Sequence, residues 1–225
     1  SEELNRYTNP FVFYDKDQKV YEQPSKIGKL NLDINYDDYQ LGKFHFSNGK
    51  KNTGPLDFST KNFMNLSEQH EFMKQVIFPE SITTKQQLDL SDVDYALLYK
   101  EMSIFPRHSN HPKYPDYESY YDGYCKFFMY GDTKDTIPYN LKIFNKVGMA
   151  YGFLLDNAYI IDTDNNVEFI LTAVVYHNEN ETMNDDTYEY DNITIPFLAE
   201  LGRKVYNIEL ARDKNYLPDL SRFIN

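Results

Sequence analysis

The sequence contains no tryptophan, and Cys125 is its only cysteine among 225 residues. A single cysteine excludes a disulfide bond within the chain and says little about the compartment in which the protein works. Long apolar runs are also missing, because no stretch approaches the roughly 18 to 20 apolar residues that a membrane-spanning helix needs. No transmembrane segment is therefore predicted in this chain.

Basic residues are scarce relative to acidic ones. The chain has 23 lysines and arginines against 35 aspartates and glutamates, which gives a formal net charge of -12. Because these charges are spread along the whole chain, a nucleic acid backbone would be repelled at most approach angles, and no nucleic acid partner is predicted. Aromatic residues are abundant, with 21 tyrosines and 16 phenylalanines, which predicts a folded chain whose core is rich in aromatic rings.

The first 64 residues have the pattern of strands and turns. Two aromatic and β-branched runs flank the polar DKDQ within residues 11–24, which predicts a short hairpin. Residues 25–58 are rich in Asp, Asn, Gly and Lys and contain the turn sequence SNGK, which indicates an insertion with a further hairpin. We divide the chain into residues 1–64, which hold this hairpin insertion, and residues 65–225, and we expect both parts to form one structural domain.

Three helices are predicted in the first half of the second part. NLSEQHEFMKQVIF (65–78) has apolar residues at helical spacing. LDLSDVDYALLYKEMSIFP follows, with Ser91 and Asp94 at the spacing of a capping box. The aromatic stretch ESYYDGYCKFFMYG (118–131) is predicted to form the third helix, with its rings in the core and Cys125 as a buried thiol.

The second half of this part changes to a strand pattern. Runs rich in β-branched and aromatic residues at 141–148, 152–162 and 167–178 are joined by short turns, which predicts an antiparallel meander of three strands. ITIPFLAELGRKVYNIELAR (193–212) then has apolar residues at helical spacing, with Thr194 as a candidate N-cap. The predicted class is α+β, an antiparallel sheet flanked by helices and covered by a closing helix.

The first strand of the meander ends with Lys146, Val147 and Gly148. A lysine at the end of an edge strand places positive charge beside a groove, where it attracts a substrate carboxylate. Glycine two positions later removes the side chain that would block an acyl substrate from lying along the strand. The alternative is that Lys146 is an edge-strand lysine that discourages pairing with other strands.

This motif, in a chain ordered as helices, meander and closing helix, resembles the K-[ST]-G motif in the C-terminal half of the serine β-lactamase and penicillin-binding transpeptidase superfamily. The resemblance covers about Asn65 to Arg212 and includes AYGFLLDNAYIID, which is similar to the family's next strand. It implies that Lys146 orients the substrate carboxylate, while Gly148 and Met149 line the strand edge along which the acyl group lies. It also implies an exported, extracytoplasmic bacterial protein.

Other parts of the sequence depart from that family. Val147 stands where the family has a residue whose hydroxyl binds the substrate carboxylate. SEELN (1–5) resembles the family's omega-loop E-x-x-L-N, but its glutamates are out of register with the asparagine. The only S-x-x-K, residues 47–50, has an Asn-Gly centre that is typical of a tight turn, and residues 7–9, which fit Y-x-N, also read as a turn. The nucleophilic serine, its lysine and the second motif are therefore expected in a segment outside this chain.

These observations support two hypotheses from different classes. The first is a partial β-lactamase-like serine hydrolase that acts on D-alanyl-type amide or ester substrates in its parent protein, the chain itself holding no catalytic residue and being inactive. Its partner would be a small-molecule or peptide substrate with a carboxylate, and no cofactor is predicted. The second is a non-catalytic binding or scaffold module on the same fold, which would use its tyrosine-rich surface and the insertion at 25–58 to bind a protein or a glycan.

Two further patterns resemble metal sites without completing them. Asp162, Asp164 and Asn166 match the start of a calcium loop, but the glycine and the glutamate that such a loop needs at its sixth and twelfth positions are missing, so a hairpin turn is predicted. His108 and His111 have no thiolate or third histidine at ligand spacing, so no metal site is predicted.

Overall fold

The computed structural model describes residues 7–28, 35–61, 64–83 and 87–224. These residues form two compact units. The first holds the described residues up to 61 together with 180–187, and the second holds the described residues of 64–179 and 188–224. The omega-loop likeness of residues 1–5 lies outside the described residues, and the expectation of one structural domain stays a prediction.

Strands and helices alternate in blocks along the described chain, which gives a mixed α+β architecture with antiparallel sheets. The strands are β1 (Tyr7–Thr8), β2 (Phe11–Asp15), β3 (Gln18–Gln23), β4 (Lys26–Ile27), β5 (Gln40–Leu41), β6 (Phe44–Ser47), β7 (Lys50–Thr53), β8 (Leu56–Asp57), β9 (Leu141–Ala150), β10 (Phe153–Asp162), β11 (Val167–Tyr176) and β12 (Thr182–Met183). The longer α-helices are α1 (Leu66–Ile77), α2 (Asp92–Ser103) and α3 (Ile195–Ala211). Shorter helical segments are the 3-10 turns Tyr36–Tyr39, Pro79–Ser81, Pro106–His108, Asp122–Cys125 and Ser221–Phe223, the single α-helical turn Phe127–Tyr130 and the π-helix Tyr190–Thr194.

The first unit consists of short sheets and hairpins. Strands β2 and β3 pair antiparallel, which confirms the hairpin predicted within residues 11–24. Strands β6 and β7 form the second hairpin, and the φ angles of Asn48 and Gly49 at its turn are 51° and 72°. Asn-Gly suits this turn because both residues tolerate positive φ. Strand β12 pairs parallel with β6.

The second unit is built on the predicted meander. Its sheet has the order β11-β10-β9, with every strand ten residues long and every pairing antiparallel. Lys146 on β9 pairs with Asn157 on β10. Within the described part of the chain, β9 is an edge strand of this sheet, as predicted.

Both faces of this sheet are covered by apolar side chains. One face, which we call the α3 face, packs residues such as Ile143 against Leu198 of α3. The opposite face, which we call the α1/α2 face, packs Phe144 in a cluster that includes Met73 of α1 and, at its margin, Met102 of α2. Side chains that alternate along β9 therefore enter two different environments.

The helix predicted for residues 118–131 is wrong. The segment forms a 3-10 turn followed by one α-helical turn, within which Met129 has a φ of 71°. The backbone N–H of Phe128 donates a hydrogen bond to Oδ2 of the buried Asp156, at 3.1 Å. This tertiary bond replaces the partner that the N–H would have in a continuous helix.

The other helix signals gave mixed results. The capping box at the start of α2 is confirmed, because the Asp94 N–H donates to Ser91 Oγ and the Ser91 N–H donates to the Asp94 carboxylate. The closing helix is also confirmed as α3. Thr194 occupies the N-cap position of α3, as expected, but its side chain makes no capping bond, because its hydroxyl donates to the carbonyl of Tyr190, at 3.4 Å, in the preceding π-helix.

Gly202 lies within α3 where the helix packs most closely on the turn at Phe128 and Met129. A Cβ at this position would lie 2.7 Å from the Met129 nitrogen and 2.9 Å from Phe128 Cβ. A glycine inside a helix ordinarily destabilises it by about 1 kcal/mol relative to alanine. The close contact with backbone atoms explains why glycine is nevertheless found here.

We therefore expect Gly202→Ala to lower the free energy of unfolding by about 1 to 3 kcal/mol, because the added methyl group forces backbone shifts that outweigh the gain in helix propensity. Urea denaturation measures this change. Lys204→Ala, which truncates an exposed side chain on the same helix, is the matched control and should change stability by no more than about 0.5 kcal/mol. A Gly202→Ala variant as stable as the wild type would contradict the packing argument.

Candidate functional site

Lys146 has an exposed side chain on the edge strand β9. Its Nζ donates a hydrogen bond to the carbonyl of Val147, at 2.6 Å, and the described residues give this ammonium no carboxylate partner. A lysine ammonium has three donors. Two of them are therefore free to bind an anionic group that approaches the strand.

The three residues predicted to contact a substrate do not share one face of the sheet. Because side chains alternate along a strand, Lys146 and Gly148 share the α1/α2 face of β9. Met149 lies on the α3 face, where it follows Val147 in the alternation, and its side chain is exposed. The structure thus brings Lys146 and Gly148 together and separates Met149 from them, while the roles given to these residues stay predictions.

The packing of the chain does not itself require a glycine at position 148. A Cβ added there would lie 3.7 Å from the Cβ of Leu155, which is an ordinary van der Waals contact. An alanine would therefore fit against the described neighbours. Gly148 is half-buried, so the absent side chain leaves the backbone of β9 beside Lys146 partly accessible.

An apolar groove with a volume of about 630 Å³ lies between α1, α2 and the sheet. Its lining is dominated by apolar side chains, which include Phe72, Met73, Val76, Leu98 and Met102. Its polar members are Gln69, Asp89, Lys146 and Asn157. Phe72 of α1 is 48% exposed, so it lies at the rim of this groove. The groove places an apolar surface next to the Lys146 ammonium.

A second, polar cavity of about 260 Å³ also reaches Lys146. Its charged and polar lining includes Tyr114, Asp122, Tyr124, Lys126, Asn145 and Lys146. We refer to it as the polar cavity. Lys146 therefore lines both spaces, and this second one holds more charged groups than the apolar groove.

The wall of the polar cavity contains a buried network of hydrogen bonds. The Lys126 ammonium donates to Asn145 Oδ1 and to the carbonyl of Met102, both at 2.6 Å. The Asn145 amide donates to Asp156 Oδ1, at 2.9 Å, and to the carbonyl of Cys125, at 2.7 Å. These bonds join β9 and β10 to the end of α2 and to the turn that precedes Phe127.

Burial shifts the titration of both charged groups of this network. Desolvation raises the pKa of Asp156 to about 6, although hydrogen bonds from Asn145 and Phe128 oppose the shift. Desolvation lowers the pKa of Lys126 to about 8, opposed by the nearby Asp156 carboxylate. At pH 7 the two groups carry opposite charges, and Asn145 bridges them.

The remaining motifs fold as local structures. Ser47 and Lys50 pair directly across the β6–β7 hairpin, which confirms the turn interpretation of the S-x-x-K sequence and excludes a serine and lysine one helical turn apart. Tyr7–Thr8, interpreted as part of a turn, forms strand β1 instead. Asp162 Oδ1 accepts bonds from the N–H groups of Asp164 and Asn165, which confirms a hairpin turn between β10 and β11.

Metal and thiol chemistry find little support in the described chain. The described residues contain no group of three His, Cys, Asp or Glu side chains placed to hold a metal ion, and His108 and His111 are exposed. The prediction of a buried thiol is wrong, because Cys125 is exposed. Desolvation by its surroundings nevertheless raises the pKa of the thiol, which disfavours the reactive thiolate.

Sequence reasoning missed the buried network. One signal was present, because Asp156 interrupts the apolar run GFLLDNAYIID and a charged residue inside such a strand is rarely buried without partners. The partners could not be found in the same way. Lys126 lies 19 residues from Asn145 along the chain, and only the fold brings the two side chains together.

Comparison with known proteins gave no relative: no family model matches the sequence, and no curated protein or solved structure matches the chain. A search of the described helices for membrane-spanning candidates also found none with sufficient length and apolarity.

We expect Asp156→Asn to change how stability depends on pH. The pKa of Asp156 is about 6 in the folded protein and near its ordinary value of 3.8 after unfolding. Between these values the folded state retains a proton that the unfolded state has lost, so this residue makes the free energy of unfolding fall as pH rises from 3.8 to about 6. The fall amounts to at most about 3 kcal/mol, and it should be absent from the variant.

Urea unfolding at pH 4, 5, 6 and 7 tests this expectation. The difference between wild type and Asp156→Asn isolates the contribution of the buried group, since the other carboxylates titrate in both proteins. Asp213→Asn, at an exposed position, is the control and should run parallel to the wild type. A parallel profile for Asp156→Asn as well would show that the carboxyl has no raised pKa.

Proposed function

We propose that this chain carries the substrate-binding strand of a β-lactamase-like serine hydrolase, exported by a bacterium and acting on D-alanyl-type amide or ester substrates in its parent protein. The observation that carries the proposal is the exposed ammonium of Lys146 on the edge strand β9, beside Gly148. The missing side chain of Gly148 leaves the strand surface open next to a cation that has no carboxylate partner within the described residues.

In this proposal the substrate lies along β9 with its carboxylate on Lys146. The edge of a sheet offers backbone N–H and C=O groups to an extended ligand, and a lysine fixes the position of its anionic end. A charge-assisted hydrogen bond of this kind contributes about 1.5 to 3 kcal/mol. Val147 offers no hydroxyl to reinforce it, and Met149 is assigned no contact with this carboxylate because it lies on the opposite face.

The apolar groove provides space for the uncharged part of the substrate. Its α1 and α2 side chains lie on the same face of the sheet as Lys146, and the groove is large enough for a drug-sized ligand. The nucleophilic serine and its activating lysine are proposed to come from outside these 225 residues, since the S-x-x-K sequence of the chain forms a hairpin. The chain alone should therefore be inert.

Labelling with a fluorescent penicillin tests the proposal. We expect the full product of the parent reading frame to become labelled, while the 225-residue chain does not. In the longer protein, Lys146→Ala should reduce the labelling rate about 10- to 100-fold, because the antibiotic carboxylate loses its cation, and Lys146→Arg should retain more of the rate.

Lys204→Ala is the matched control for loss of an exposed lysine and should leave the rate unchanged. The proposal fails if the longer protein is not labelled, or if Lys146→Ala is labelled as fast as the wild type.

A non-catalytic binding or scaffold module is the second candidate. It is favoured by the β2–β3 hairpin, which exposes the aromatic side chains of Phe11, Phe13, Tyr14 and Tyr21. Exposed aromatic clusters of this kind are typical of surfaces that bind other molecules. A parent reading frame that encodes no helical S-x-x-K, together with a longer protein that is not labelled, would decide for this module.

A further inference from the structure

The polar cavity contains a buried acceptor that has no donor. Asp122 is fully buried. Its Oδ2 accepts a hydrogen bond from the Ile137 N–H, at 2.9 Å, and forms an ion pair with the Arg107 guanidinium, at 3.0 Å. Its Oδ1 is also buried, and the described residues supply no donor for it. Because such an orphaned acceptor is costly, a ligand N–H placed here would form a favourable bond that the chain alone does not make.

The same cavity is lined by two lysines that form no salt bridge within the described residues, although the buried Asp156 carboxylate lies near Lys126. The buried Lys126 ammonium donates only to Asn145 and to the Met102 carbonyl within the described chain, which leaves one of its three donors. Lys146 contributes a second ammonium, bonded to a backbone carbonyl. Two neighbouring cations of this kind favour a carboxylate ligand.

The acidic residues of the cavity do not neutralise these lysines. Asp122 pairs with Arg107, and Glu101, which also lines the cavity, has its carboxylate 3.5 Å from the ammonium of Lys100. Each carboxylate therefore has its own cation. The charge of Lys146 therefore remains available to a ligand, whereas that of Lys126 is offset in part by the buried Asp156 carboxylate nearby.

Two tyrosine rings, Tyr114 and Tyr124, form part of the apolar wall of this site. Both contact Tyr120, in a tilted arrangement for Tyr114 with centroids 4.8 Å apart and edge to face for Tyr124 with centroids 5.0 Å apart. At about 260 Å³ the cavity is smaller than sites for drug-sized ligands. Its ligand should therefore be small, and a flat or apolar side chain would suit the tyrosine wall.

We propose that the polar cavity binds a small zwitterion, a free α-amino acid or a very short peptide, with its amine bonded to Asp122 and its carboxylate bonded to Lys126 and Lys146. This inference goes beyond the proposed function, because it concerns binding by the chain itself and requires no nucleophile. It shares only Lys146 with the proposed hydrolase site.

Calorimetric titration of the 225-residue chain tests the proposal with phenylalanine as the probe. N-acetylphenylalanine lacks the charged amine, and phenylalanine amide lacks the carboxylate. We expect phenylalanine to bind and each blocked analogue to bind about tenfold more weakly or worse, because each loses one charged contact. If phenylalanine does not bind at millimolar concentrations, or if the analogues bind equally well, the proposal is wrong and Asp122 Oδ1 serves at most a buried water.

Two variants test which residue binds the amine of phenylalanine and which binds its carboxylate. Asp122→Asn should remove the preference for phenylalanine over N-acetylphenylalanine, and Lys146→Ala should reduce the preference for phenylalanine over its amide. Asp122 is buried, so its variant is used only if its circular dichroism spectrum matches the wild type; Lys146 is exposed and provides the test if that variant does not fold. Unchanged preferences in Lys146→Ala would overturn the assignment.

Penicillin labelling of the longer protein is independent of these titrations. Amino-acid binding without labelling would support the polar cavity and contradict the hydrolase, whereas labelling without amino-acid binding would do the reverse. The two proposals can therefore fail separately.

Discussion

The buried carboxylate of Asp156 holds together the parts of the second unit that surround the candidate site. It accepts hydrogen bonds from the Asn145 side chain on β9 and from the backbone of Phe128, and it lies near the Lys126 ammonium. A buried charge is tolerated only when such partners compensate it. The turn before Phe128 and the position of β9 are consequently coupled, and Lys146 follows directly after Asn145 on the same strand.

The two-sided cover of the meander decides which residues can act together. Apolar side chains fill the α3 face and the α1/α2 face, so each residue of β9 belongs to one environment or the other. Asn145 and Val147 point toward the α3 face, whereas Lys146 and Gly148 point toward the opposite one. In the proposed hydrolase, a substrate held by Lys146 would therefore contact Gly148 but not Met149, because the two residues lie on opposite faces of the strand.

The candidate site contains positively charged side chains, although the chain as a whole has a negative net charge. The formal net charge is -12, yet two lysines line the polar cavity, and no salt bridge within the described residues involves either of them. The buried Asp156 carboxylate offsets part of the charge of Lys126, whereas the exposed ammonium of Lys146 can attract an anion from solvent. The apolar groove and the polar cavity meet at Lys146, so one lysine serves both proposals for ligands that carry a carboxylate.

The sequence by itself determined the elements whose signals are local. Runs of β-branched and aromatic residues with turn residues predicted the meander and both hairpins, helical spacing predicted α1 and α3, and Ser91 with Asp94 predicted the capping box of α2, because each depends on neighbours a few residues apart. It also placed Lys146 on an edge strand.

The tertiary structure decided everything that depends on distant partners. The Asp156 carboxylate accepts a hydrogen bond from the Phe128 N–H, and this bond interrupts the helix predicted for residues 118–131. The Lys126 ammonium and the Asn145 side chain come into contact only in the folded chain. The physical reason is that a buried polar group must be satisfied by whichever group the fold brings to it, and spacing along the chain does not specify that partner.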